Sequence, residues 1–204
     1  MRQFGVPLAA PAGRRYGSGM LALIDAVYFL TLATWFAAAL GSAIIPPVIL
    51  RTIREADPTL PRVLSVNLDR QHATLLGGTV VSEIVQIMFR LEAVCALVFL
   101  PALIAKWFFV DRTFPLLVQP LIVTAIYIAA TAFLLYGWRV VWPKAVRHRA
   151  AYIEVADDVD KANAELDLFD RYNHEVDAVV RNMVFIVMGL LLFSTALMQR
   201  AVVL

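Results

Sequence analysis

Three histidines, a short acidic run and one glutamate–arginine–glutamate set are the residues of this 204-residue chain that could do chemistry. His72, His148 and His174 offer imidazole nitrogens, which bind haem iron or a divalent metal ion, and helix bundles hold such ligands on facing helices. His72 and His174 make the favoured pair, because each stands just before an apolar stretch. Asp170, His174 and Asp177, spaced by four and three, share one helical face and supply oxygen and nitrogen donors for a divalent ion. A complete site needs further donors and a fixed outer shell. The plainer reading is a solvated acidic stripe, with Asp177 paired to Arg181 one turn on. Glu83, Arg90 and Glu92 stand in an otherwise apolar stretch, where ionisable groups face protein, headgroups or trapped water rather than lipid tails. Glu83 and Arg90, seven apart, fall on one helical face; Glu92 points elsewhere and needs another helix or water. The set reads as a structural polar cluster or as the path of a transported solute.

No G-x-S-x-G elbow, H-E-x-x-H zinc motif, paired C-x-x-C, phosphate loop or dinucleotide fingerprint is present, so hydrolase, metalloprotease and nucleotide-enzyme chemistry has no motif support. The lone Cys95 excludes an intrachain disulfide and reads as a small buried hydrophobe. A net charge of +2 gives no argument for nucleic acid.

The elements that position these residues follow from composition. The chain is 61% hydrophobic and 17% charged, with a mean hydropathy of +0.74. Ordinary soluble domains carry about 25% charged residues, and a chain this short cannot hide so much apolar surface in one aqueous core. Four apolar stretches are expected to span a bilayer: 20–50, part of 76–110, 116–142 and 178–199. The first is too long for a cleaved signal peptide and reads as a retained span. Pro46 and Pro47 predict a kink or local unwinding in it, and Pro101 a bend in the second. Ala33, Ala37 and Gly41, at four-residue spacing, put small groups on one face of span one and predict a helix-packing seam. Tyr127, Tyr136, Trp138 and Trp142 are expected to anchor the ends of span three.

Between the spans, residues 1–19 form a flexible or interfacial arm, and 20–204 the membrane bundle with its polar connections 51–75 and 143–177. The second half of the latter connection is helical by its pattern. Leu166, Phe169, Asn173, Val176 and Val180 recur by three and four, and no breaker separates them from span four. With four spans the termini share one side. The opposite side carries eleven Lys and Arg against six, with Arg90 in mid-span completing the eighteen. That excess places the larger connections in the cytoplasm, and Arg14 and Arg15 beside span one pull the other way.

The segments TLATWFAAALGSAIIPPVILRTI (31–53), HATLLGGTVVSEIVQIMFRLEAV (72–94) and NHEVDAVVRNMVFIVMGLLLF (173–193) resemble the transmembrane protein 205-like family, a domain without a settled biochemical function. The resemblance implies a compact four-span bundle, with Trp35 in the first span, Gly77 and Gly78 at a small-residue approach to the second, and His174 near the entrance of the last. Pro46–Pro47, Glu83 and the longer acidic connection depart from the family pattern.

The expected fold class is all-α: a polytopic membrane protein built as a four-transmembrane-helix bundle, with an amphipathic helical extension before the last span. The expected function is a non-enzymatic membrane scaffold or accessory subunit, with a protruding cytosolic helical hairpin from 143–177. Its partners are the lipid bilayer and other membrane-protein subunits or a second copy, and not nucleic acid. A small-solute or metal-ion transporter using Glu83, Arg90 and Glu92 is the alternative, followed by a membrane protein binding haem or a divalent metal. No motif calls for a cofactor. The expected location is a bacterial inner membrane.

Overall fold

The computed structural model of the protein describes residues 15–56, 72–109, 118–155 and 158–201. Among these residues five α-helices follow in order: α1 (Arg15–Ala56), α2 (His72–Phe109), α3 (Val118–Tyr136), α4 (Trp142–Glu154) and α5 (Val159–Ala201). A π-helical turn, Gly137–Val141, joins α3 to α4 without a loop. Four helical stretches are long and apolar enough to cross a membrane: Gly19–Ile53, Gly77–Phe108, Val118–Glu154 and Asp160–Thr195, of 32 to 37 residues each. About twenty residues suffice for a hydrocarbon core roughly 30 Å thick, so each stretch runs past it. This is an all-helical, multi-pass membrane protein. The expected arm, as far as residue 14, and 57–71 of the first polar connection lie outside the described residues.

Helix α1 packs on α2 and α5, and α3 on α5 and α2, an up-and-down bundle in which chain neighbours are spatial neighbours. Lipid supplies no hydrophobic force between helices, so close packing holds them. The buried stripe of α1 is Tyr28, Thr31, Leu32, Trp35, Ala38, Ala39 and Ser42; that of α5 is Val176, Val179, Val180, Met183, Val187, Leu190 and Ser194. Both recur by three and four. Trp35 is the hub, with ring centroids 6.4 Å from Phe99 of α2 and 6.2 Å from Tyr127 of α3. The seam thus falls one face away from the expected one: Ala33 and Ala37 are exposed and Gly41 is half-buried beside Met88. Leu32 and Trp35, which the small-residue spacing ignores, win the core because they fill more of it. Tyr127 is likewise no interfacial anchor; it is buried, and its hydroxyl donates to the Ala96 carbonyl at 3.1 Å.

At the end holding the start of α3, Lys106 Nζ pairs with Asp25 at 2.9 Å and lies 4.2 Å from the Tyr28 ring centroid. The Tyr28 hydroxyl meets Ser194 Oγ at 2.7 Å, tying α1 to α5. Helices α1 and α2 run unbroken through Pro46, Pro47 and Pro101, so the expected unwinding is absent.

The connection 143–177 forms the expected helical hairpin, with no loop at its start. Helix continues through α4, and Asp158 N–H, just before α5, donates to the Val155 carbonyl at 2.9 Å. Pro143 does not end the helix because the π turn precedes it: Trp142 N–H donates to the Gly137 carbonyl, and the widened turn relieves the ring's clash with the preceding carbonyls. Asp158 starts α5, its carboxylate accepting Lys161 N–H at 3.3 Å and pairing with Lys161 Nζ at 2.7 Å. The Lys161 ammonium holds the Asp158 carboxyl below its usual range. Polar α4 and the polar first half of α5 form a hairpin, and the continuous run from that extension into span four is as the pattern predicts.

A Cβ on Gly137 would stand 2.5 Å from Val179 Cγ1, whereas one on Gly189 meets nothing within 4 Å. Alanine normally gains up to about 1 kcal/mol over glycine in a helix. Gly137→Ala is expected instead to lose about 1–3 kcal/mol through overpacking, while Gly189→Ala is neutral or stabilising. Thermal unfolding of the two variants in detergent checks the opposite signs.

Candidate functional site

Where the hairpin meets the bundle, a cavity of about 470 Å³ opens between α1, α2, α4 and α5. Its walls are mostly apolar and aromatic: Pro46, Pro47 and Leu50 of α1, Val81 and Val85 of α2, Trp142 and Val146 of α4, and Leu166, Phe169 and Val180 of α5. Polar groups are few and convergent. Ser42, Ser82, Arg149 and Tyr152 line it from three helices, and Asp170, Asn173, His174 and Asp177 form its α5 edge.

Local sequence explains both sides. Pro46 and Pro47 have no N–H, so the carbonyls of Ser42 and Ala43, four residues back, lose their helical donors. Both residues line the cavity. Unpaired backbone at such a depth is tolerated where it faces a cavity rather than lipid. On the opposite wall the Arg149 guanidinium is occupied. Nη1 donates to the Gly78 carbonyl at 2.7 Å and to Ser82 Oγ at 2.8 Å, and Nη2 to Thr79 Oγ1 at 2.8 Å. A Cβ on Gly78 would lie 3.2 Å from Arg149 Cζ, and one on Gly77 3.2 Å from Leu50, so the two glycines let α4 and α1 close on the start of α2. His148 Nδ1 meets Glu165 at 2.8 Å and stacks on Tyr172 with ring centroids 5.3 Å apart, fastening α4 to α5.

Asp170, His174 and Asp177 do share the cavity edge, but they do not converge. His174 Nδ1 donates to the Asp170 carbonyl at 2.8 Å, and Asp177 pairs with Arg181 at 3.1 Å. Among the described residues no three His, Cys, Asp or Glu side chains come together to hold a metal ion. His72 opens α2, and its side chain lies outside the described residues. The one-turn bond within α5 spends a nitrogen of His174 on its own helix.

Glu83, Arg90 and Glu92 separate. Glu83 and Arg90 are exposed on the outer face of α2, and no ion pair among the described residues joins them. Glu92, two residues and about 200° beyond Arg90 at 100° per residue, turns inward and is 1% exposed. Ser42 Oγ lies 3.2 Å from Glu92 Oε1 and 2.9 Å from the Ala38 carbonyl, its one proton shared between the two acceptors. Glu92 Oε2, Trp35 Nε1 and Thr131 Oγ1 are buried without a hydrogen-bond partner in the protein. The partners missed from sequence are Ser42 and Arg149. The small polar run Gly77-Gly78-Thr79 was the available signal for an arginine docking there.

Arg149→Ala is expected to free the hairpin, because three charge-assisted bonds end on α2; the loss is about 1–3 kcal/mol for this half-buried group. Arg149→Lys cannot reproduce the forked geometry and recovers little. Hydrogen–deuterium exchange checks this: α4 and the first half of α5 lose protection, and the spans keep theirs.

Comparison with protein-family models, with curated proteins and with solved structures finds no match for this chain.

Proposed function

We propose that the protein binds a small amphiphilic amine at the membrane interface, the solute-handling reading rather than the haem or metal one. The cavity carries the proposal. Its volume and apolar walls suit one small organic molecule. Its edge is acidic: the carboxylates of Asp170 and Asp177, the latter shared with Arg181, stand across from Ser42 and Ala43, whose carbonyls the two prolines leave without helical donors, while the arginine donors are bound to α2. Trp142, Tyr152 and Phe169 add aromatic faces, which attract cations. Acceptors around an apolar body select a ligand with a positive or donor head.

In lipid nanodiscs an amphiphilic amine is expected to change Trp142 fluorescence saturably, and a carboxylate of the same chain length is not. Trp142→Phe identifies the signal. Asp170→Asn with Asp177→Asn weakens amine binding about fivefold, as partly exposed charge pairs do. Equal responses to amine and carboxylate sink the reading.

The accessory-subunit reading rests on a different face. Ala33 and Ala37 are exposed on α1, and small residues let membrane helices approach closely. They suit contact with another membrane protein or a second copy. Ala33→Cys is expected to cross-link to a neighbouring chain in native membranes under mild oxidation, with Leu97→Cys on the exposed face of α2 as the control. Monomer only, for both variants, removes that reading.

A further inference from the structure

Glu92 is the one acid among the described residues that the bundle buries, and no cation lies against it. Arg90 is turned outward on the same helix, Lys106 pairs with Asp25 at the far end, and Arg149 is bound to Gly78, Thr79 and Ser82. Ser82 stands ten residues before Glu92, about 15 Å along the helix. The groups that surround the carboxyl are uncharged. From α1 come Trp35 Nε1 and Ser42 Oγ, and from α2 the Cys95 thiol one turn on. Facing them α3 carries Tyr127 and Thr131, both uncharged, while α5 adds to the core only apolar side chains and Ser194. Tyr127 bonds the Ala96 carbonyl. Glu92 is four residues before Ala96 on α2 and Thr131 four after Tyr127 on antiparallel α3, so Glu92 and Thr131 lie at one level. Three unpartnered polar atoms, Glu92 Oε2, Trp35 Nε1 and Thr131 Oγ1, thus come from three helices around the same depth.

A carboxylate without a counter-ion in such surroundings is strongly disfavoured, and a proton is the counter-ion these neighbours leave room for. The route is also present. Ser42 lines the cavity and donates to Glu92 Oε1. We infer that Glu92 is a proton-binding site inside the bundle, loaded and unloaded from the cavity through the Ser42 hydroxyl. In the loading step the Ser42 O–H proton passes to Glu92 Oε1 as Ser42 Oγ takes a proton from hydronium in the cavity. The hydroxyl is regenerated and the carboxylate becomes the neutral acid. Unloading reverses each transfer, with water as the acceptor. The inference uses the cavity as a path for water and does not depend on the amine.

The test is infrared difference spectroscopy of the full-length protein in lipid vesicles, titrated with pH. A carboxylic C=O band that appears and vanishes with pH is expected, lost in Glu92→Gln and displaced in Glu92→Asp. Ser42→Ala keeps the band and slows its hydrogen–deuterium exchange about tenfold, the scale of losing a hydrogen bond to an ionised group. A Glu92 band that never changes with pH overturns the site, and unchanged exchange in Ser42→Ala overturns the route. If Glu92→Gln does not fold, the displaced band of Glu92→Asp identifies the group. Amine binding is read by fluorescence, so its failure leaves the infrared result standing.

Discussion

Within hydrocarbon every backbone donor and acceptor must be satisfied by the protein itself, and this requirement shapes the whole chain. The helices extend well past a bilayer's thickness and are rarely interrupted. Hydroxyls in the spans obey the same rule by turning back on their own helix. Thr34 donates to the Leu30 carbonyl at 2.8 Å, Thr52 to Val48 at 2.9 Å and Thr124 to Pro120 at 2.7 Å. Such bonds satisfy polar side chains without a partner helix, leaving the interior to the aromatic contacts around Trp35.

The exceptions to that rule are where the interesting features lie. Pro143 costs α4 a donor, and the π turn before it absorbs the loss while bringing Gly137 against Val179. Pro46 and Pro47 cost α1 two more, and the orphaned carbonyls belong to residues that line the cavity. The cavity and the doubled proline therefore explain each other: a span with two missing donors needs a wetted side, and the hairpin, held by Arg149, builds that side.

Much of the fold was legible in the sequence, because hydropathy and period are local quantities. Four spans and the uninterrupted entry of α5 follow from apolar length and from Val176 and Val180 recurring without a proline. A helical hairpin was expected from 143–177, but not the unbroken passage from α3 into α4. Pro143 followed by Lys144, Arg147, His148 and Arg149 has the composition of a loop, and only the π turn and the docking of Arg149 on α2, both tertiary facts, make it helix. The site was half legible. That Glu92 faces away from Arg90 follows from 100° per residue, but its partner Ser42 lies fifty positions earlier and has no motif. The Ala33–Ala37–Gly41 spacing does not mark the seam within the bundle, because spacing records size and not which face the larger Leu32 and Trp35 claim.

Glu92 also contrasts with Asp25, another acid that meets a partner across helices. Asp25 has a lysine, partial exposure and an aromatic platform beneath the ammonium, so its charge is compensated where water and headgroups are near. Glu92 has one hydroxyl at 3.2 Å and an oxygen left over. As a device for holding helices together it is poor, since apolar residues of similar volume replace buried ionic groups at little or no loss of stability. Trp35, Phe99 and Tyr127 already join α1, α2 and α3 beside it. The packing therefore gives no reason for a carboxyl at this depth, and the reason lies in what a carboxyl does that leucine does not: it exchanges a proton.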